Sequence, residues 1–126
     1  MAEAVPRPLT SREQAALVAL ITRGVSADGD VVVTGEDRDR WLQQVPDTRA
    51  GDRCNCGTCP SIELTDRSGT TPGEWDRRVV LEAGAAGALL LLFVDDDRLS
   101  YLELAPLDDK ATFREFPDPE EFDFTA

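Results

Sequence analysis

The run "ALLLLFV" (88–94) constrains this chain more than any other stretch, because every one of its residues is apolar. Side chains of a strand point alternately to opposite faces. A strand apolar at both parities is expected at the centre of a sheet, covered on both sides. "DDDR" (95–98) then turns the chain, and "LSYLELA" (99–105) returns as a strand ended by Pro106. The β-branched "RRVVLEA" (77–83) precedes the run. Further upstream, Ile62 and Leu64 alternate with Ser61, Glu63 and Thr65, the pattern of a half-buried strand. These four segments predict an antiparallel meander with Leu91 in the core.

The N-terminal half has helical spacing instead. Thr10 and Glu13 form a capping-box pattern, in which each side chain satisfies a free backbone N–H of the first turn. Leu17, Leu20 and Ile21 follow on one face, and Gly24 is placed to close the helix in a left-handed conformation. Val31–Val33 is expected as a short strand. Thr34 and Asp37 repeat the cap before Trp41, Leu42 and Val45, and Pro46 stops that helix. "PDTRAGD" (46–52) is expected as loop. Asp118, Pro119 and Glu121 supply the cap, proline and acid of a short C-terminal helix carrying Phe122. The fold class expected is α+β: N-terminal helices packed on an antiparallel meander of about four strands, with a short C-terminal helix. At 126 residues one domain is expected, spanning 10–126 behind a flexible arm at 1–9 that holds two prolines.

All three cysteines lie in "RCNCGTCPS" (53–61), in a chain without histidine. The first expectation is packing, with "NCGT" turning a hairpin and the thiols serving as small hydrophobes. The alternatives are a zinc site at Cys54, Cys56 and Cys59, or a redox pair at Cys56 and Cys59. Tetrahedral zinc wants four ligands, so Asp52, Asp66, a water or another chain would have to supply the last. The redox pair lacks the following helix that lowers a thiol pKa. No cofactor is expected unless it is zinc.

"CNCGTCPSIEL" (54–64) and "LLLLFVDDDRLSYLEL" (89–104) together resemble a family of small bacterial proteins. In that family closely spaced cysteines precede Pro-Ser, and a later apolar hairpin ends in Leu-Ser-x-Leu-Glu. The matching positions are Cys54, Cys56, Cys59, Pro60 and Ser61, then Leu99, Ser100, Leu102 and Glu103. The resemblance implies a bacterial origin and this two-stretch architecture, and it implies no activity. Lys110 is the single lysine beside twelve arginines, a bias of GC-rich bacterial genomes or of salt adaptation.

Without histidine, the usual Ser-His-Asp and Cys-His constellations are excluded. No phosphate-binding glycine loop is present. Glu82 and Glu103 are expected on neighbouring strands, where a close pair would support acid–base chemistry. Asp95, Asp96 and Asp97 are expected as a solvated turn, since calcium loops spread their ligands at alternate positions. The net charge of −12 disfavours nucleic acid and anionic membranes, and it favours a basic protein partner. The start of the chain has no apolar run, so no export signal is expected and the location expected is cytoplasmic. The function expected is that of a small, acidic, non-catalytic protein that binds a macromolecular partner. The alternative is thiol-based metal binding or redox at the three cysteines.

Overall fold

The computed structural model describes residues 6–54, 59–71, 74–108 and 112–124. Seven strands form one antiparallel sheet: β1 (Arg7–Pro8), β2 (Val25–Ser26), β3 (Arg49–Arg53), β4 (Ile62–Thr65), β5 (Arg78–Ala85), β6 (Ala88–Asp95) and β7 (Arg98–Pro106). Their order across the sheet is β1-β3-β4-β7-β6-β5-β2. Two α-helices, α1 (Ser11–Arg23) and α2 (Gly35–Gln44), and two 3-10 turns, Val45–Asp47 and Pro119–Glu121, complete the regular structure among the described residues.

This corrects the expected four-strand meander under N-terminal helices. The protein is mostly sheet, with a small helical part. The four anticipated segments are strands, but β4 pairs with β7 rather than with β5. The connection from Thr65 to Arg78 is long enough to carry the chain across the sheet. β5, β6 and β7 follow through tight turns, and β7 then lies beside β4. That is a Greek-key order with its long connection first. β3 falls where a loop is expected, because "RAGDR" has one apolar side chain, Ala50, and so no alternating signal. Val31–Val33 is not a strand, and Val32 is exposed. The C-terminal helix is a single 3-10 turn, Pro119–Glu121, which brings Phe122 onto the core. Of the segment expected as an arm (1–9), Arg7 and Pro8 pair with Ala50 and Arg49 at the sheet edge, and residues 1–5 lie outside the described residues.

Both helices start as their sequences dictate. Thr10 and Glu13 cap α1 reciprocally, and Thr34 and Asp37 cap α2 in the same way. Gly24 ends α1 with φ −57°, which is not left-handed. Glycine is needed there for space, because a Cβ would lie 2.4 Å from the Leu20 carbonyl oxygen. At the β5–β6 turn, Gly87 does take a positive φ of 75°.

The core lies between the helices and one face of the sheet. Leu17, Leu20 and Ile21 of α1 and Trp41 of α2 meet Leu81, Leu90, Leu92 and Leu102, all buried. Phe116 closes it from the C-terminal segment. α2 is also tied to the β6–β7 turn. Asp96 and Asp97 both have positive φ, 48° and 68°, which suits the twist of a two-residue hairpin turn. The Asp97 carboxylate accepts from Arg40 and from the indole of Trp41 at 2.7 Å, while Gln44 donates to the Asp97 carbonyl.

β6 is therefore covered on one side only, which corrects the expectation of a strand buried on both. Leu90 and Leu92 are fully buried, whereas Leu89, Leu91 and Phe93 are half-buried on the opposite face. Leu90→Ala should cost about 2–5 kcal/mol, as truncations of buried leucines do. Leu91→Ala leaves no enclosed cavity and should cost about 1 kcal/mol, from lost area alone. Denaturant midpoints of the two variants check the assignment; equal losses would place Leu91 in the core.

Candidate functional site

The register of the ladders builds the second face row by row. Val80, Phe93, Tyr101 and Glu63 lie in line across β5, β6, β7 and β4. The next row is Val25, Glu82, Leu91 and Glu103, and beyond it come Gly84, Leu89 and Ala105. All of these residues are half-buried. An aliphatic and aromatic strip thus runs along the middle of the face, with Glu63, Glu82 and Glu103 beside it. Leu91 stands between Glu82 and Glu103. The expected close carboxylate pair is therefore not formed: β5 and β7 are not neighbours, and two strand spacings come to about 10 Å.

A β-bulge shapes one end of this face. Phe93 pairs with Tyr101 but Val94 pairs with Leu99, so Ser100 is an extra residue. Such a bulge re-aims a side chain. Here the Ser100 hydroxyl donates to the buried carboxylate of Asp95. Arg78 forks onto the same carboxylate, with Nε at 2.6 Å and Nη2 at 2.9 Å. The Arg78 guanidinium also lies over Trp75, 4.2 Å from the ring centroid, and over Phe93 at 4.9 Å. Burial by itself raises the Asp95 pKa. The hydrogen bonds from Arg78 and Ser100, with the Arg78 charge, outweigh it and hold the carboxyl below its ordinary value.

Between the Arg78–Asp95 pair and Glu63 lies a pocket of about 350 Å³. Trp75, Phe93 and Tyr101 supply its aromatic surface, and Thr71 and Ser100 its hydroxyls. Its charged lining is Glu63, Asp95 and Glu103 against Arg78 alone, so it is anionic. The rings of Phe93 and Tyr101 are tilted against each other at 6.2 Å. Burial, reinforced by Cys54, Glu103, Cys59 and Glu63, pushes the Tyr101 phenol up to about 12. The carboxylates among those neighbours, Glu63 and Glu103, resist a negative charge on the phenol and favour a positive one beside it.

Two of the cysteines expected as candidates, Cys54 and Cys59, border this region. Cys54 follows β3, and its N–H donates to the Ser61 carbonyl at 2.9 Å. The Cys59 thiol donates to the Ser61 hydroxyl at 3.2 Å, and that hydroxyl accepts from the Leu104 N–H at 2.9 Å. Both thiols act electrostatically on Tyr101. Cys56 lies outside the described residues. Among the described residues no three Cys, Asp or Glu side chains group as a metal ion would need. The three turn aspartates have separate partners: Asp95 takes Arg78, Asp96 accepts from the N–H groups of Asp76 and Arg77, and Asp97 takes Arg40 and Trp41.

Tyr101, Glu63, Arg78 and Trp75 do not emerge from the sequence as a group. The signal that could have found Tyr101, Glu103 and Glu63 is parity, since each sits opposite the buried residues of its strand. Their meeting depends on β4 pairing with β7.

Compared with protein-family models, curated proteins and solved structures, the chain matches none. Among the described residues no helix is long and apolar enough to cross a membrane.

Acid should loosen the frame of this site. Burial raises the Glu13 pKa too, but the Arg7 pair and the Thr10 N–H outweigh it, so Glu13 and Asp95 both titrate below their ordinary range. Unfolded carboxyls take up protons near pH 4. Between that value and the depressed folded values the unfolded chain binds more protons, so stability falls as pH falls. Denaturant midpoints should be level from about pH 7 to 5 and drop below about 4. In Asp95→Asn the drop should be shallower; an unchanged acid limb would remove Asp95 from this role.

Proposed function

We propose that the protein binds a basic protein partner on the second face of its sheet and takes a cationic side chain into the pocket beside Tyr101. The observation that carries this reading is the lining of that pocket: aromatic rings and three carboxylates, with one guanidinium already committed to Asp95. Aromatic faces attract cations, and more strongly when the site is partly desolvated. Carboxylates at the rim favour approach of a positive partner and disfavour a negative one. A second copy of this chain is a poor occupant, because its own net charge is −12. The half-buried strip of Leu89, Leu91 and Phe93 offers apolar area to the body of the partner. The reading keeps the chain non-catalytic: the Ser100 hydroxyl does meet the Asp95 carboxylate, but Arg78 forks onto that carboxylate and holds its pKa down, which makes it a poor base. A bacterial intracellular setting, in line with the family resemblance, belongs to the same proposal.

An arginine-rich peptide serves as probe, with binding measured by titration calorimetry. One-to-one binding is expected, weakening as salt screens charges beyond about 8 Å at physiological ionic strength. Glu63→Gln with Glu103→Gln should weaken it about tenfold or more, through lost charge pairs. Glu36→Gln with Glu120→Gln, exposed carboxylates elsewhere, should leave it unchanged. Equal weakening by both pairs would mean that only net charge is being read.

A further inference from the structure

We infer a second, oppositely charged site: a cavity of about 720 Å³ that binds a small organic phosphate. Four guanidiniums line it, from three parts of the chain: the N-terminal segment with Arg7 and Arg12, then Arg53, then Arg114. Arg7 belongs to β1, Arg12 to α1, Arg53 to the end of β3, and Arg114 to the segment leading to the buried Phe116. The chain has twelve arginines and a net charge of −12, so gathering a third of them at one cavity runs against its overall balance.

Two carboxylates, Glu13 and Glu115, line the cavity as well, so four guanidiniums face two carboxylates and the lining keeps a positive excess. Glu13 takes Arg7 in a two-pronged pair, with both contacts at 2.8 Å. Glu115 and Asp118 approach Arg12 only at 3.8 and 3.9 Å. Among the described residues Arg53 and Arg114 form no salt bridge. The Thr10 and Glu13 N–H groups are taken up by the capping box of α1, and the attraction for an anion is attributed to the arginines rather than to the helix end. Guanidiniums present donors in a fork that matches a phosphate, and several together favour a multiply charged oxyanion over a single carboxylate.

The volume and walls say that the anion carries a body. Small-molecule sites span roughly 300–1,000 Å³, and a bare phosphate would leave most of this cavity empty. Pro8, Leu9, Pro60 and Phe116 supply apolar lining beside the arginines. The arrangement suits a phosphate monoester with a compact apolar or aromatic group. Binding would draw β1, the end of β3 and the C-terminal segment together at one edge of the sheet.

Phenyl phosphate, inorganic phosphate and phenol are the probes, at constant ionic strength, with calorimetry as the readout. Saturable one-to-one binding of phenyl phosphate is expected, tighter than that of inorganic phosphate, with none for phenol. Arg53→Gln with Arg114→Gln should weaken it about tenfold or more, the loss of two charge-assisted contacts. Both side chains are exposed, so the fold should survive, which circular dichroism checks. Arg12→Gln gives a second, independent loss if the double variant does not fold. Arg67→Gln with Arg77→Gln, exposed arginines outside the cavity, should change nothing. Three results would overturn the inference: no saturation with phenyl phosphate, equal affinity for inorganic phosphate, or equal weakening by the Arg67 and Arg77 pair.

Discussion

One strand sets the terms for the rest of the molecule. β6 is apolar at both parities, while helices cover only one of its faces. Leu90 and Leu92 drive the burial of α1 and α2, and so hold the sheet and helices together. Leu89, Leu91 and Phe93 are by the same pleat sent to the other side, where they are half-buried. A solvated sheet face ordinarily carries polar residues at those positions. Apolar side chains kept there, beside Glu63, Glu82 and Glu103, are the reason the second face is the one proposed for docking.

The end of that face is fixed by a short polar segment whose every carboxylate has a task. Asp95 holds Arg78 and Ser100 beneath the pocket, Asp96 accepts from the backbone ahead of β5, and Asp97 locks α2 to the turn. The bulge at Ser100 makes the first of these possible by turning its hydroxyl onto Asp95. Without it, Arg78 would share a buried carboxylate with one partner fewer. Buried charge is costly unless paired and hydrogen-bonded, and here both conditions are met. The pocket beside Tyr101 therefore has a floor that is already neutral, and its remaining charge comes from Glu63 and Glu103 at the rim.

Local signals were legible and long-range ones were not. Both capping boxes, Thr10 with Glu13 and Thr34 with Asp37, are written in four-residue patterns and occur as written. The strand around Ile62 declares itself by alternation, that around Val79 by β-branched residues, and that around Leu90 by an unbroken apolar run with the strand around Leu102 as its return. Their order does not, because antiparallel pairing is made by backbone groups that every residue carries. β1, β2 and β3 are short or polar, and apart from the buried Ala50 of β3 they join through such pairing. The pocket suffers for the same reason. Glu63 and Tyr101 are far apart in sequence, and only the β4–β7 register sets them side by side. The cysteine stretch drew the eye by its composition. What the structure places at its border is Tyr101, whose phenol feels Cys54 and Cys59 together with Glu63 and Glu103.

The chain has a single tyrosine, so its ring is a reporter that needs no assignment by mutation. The most direct test of the second face as a docking surface follows the Tyr101 ring resonances by NMR while the arginine-rich peptide is added. The account predicts that they shift progressively and saturate, together with those of Leu91 and Phe93, while the buried methyl groups of Leu90 and Leu92 stay in place. Saturating shifts confined to α1 and α2, with the Tyr101 ring unmoved, would contradict it.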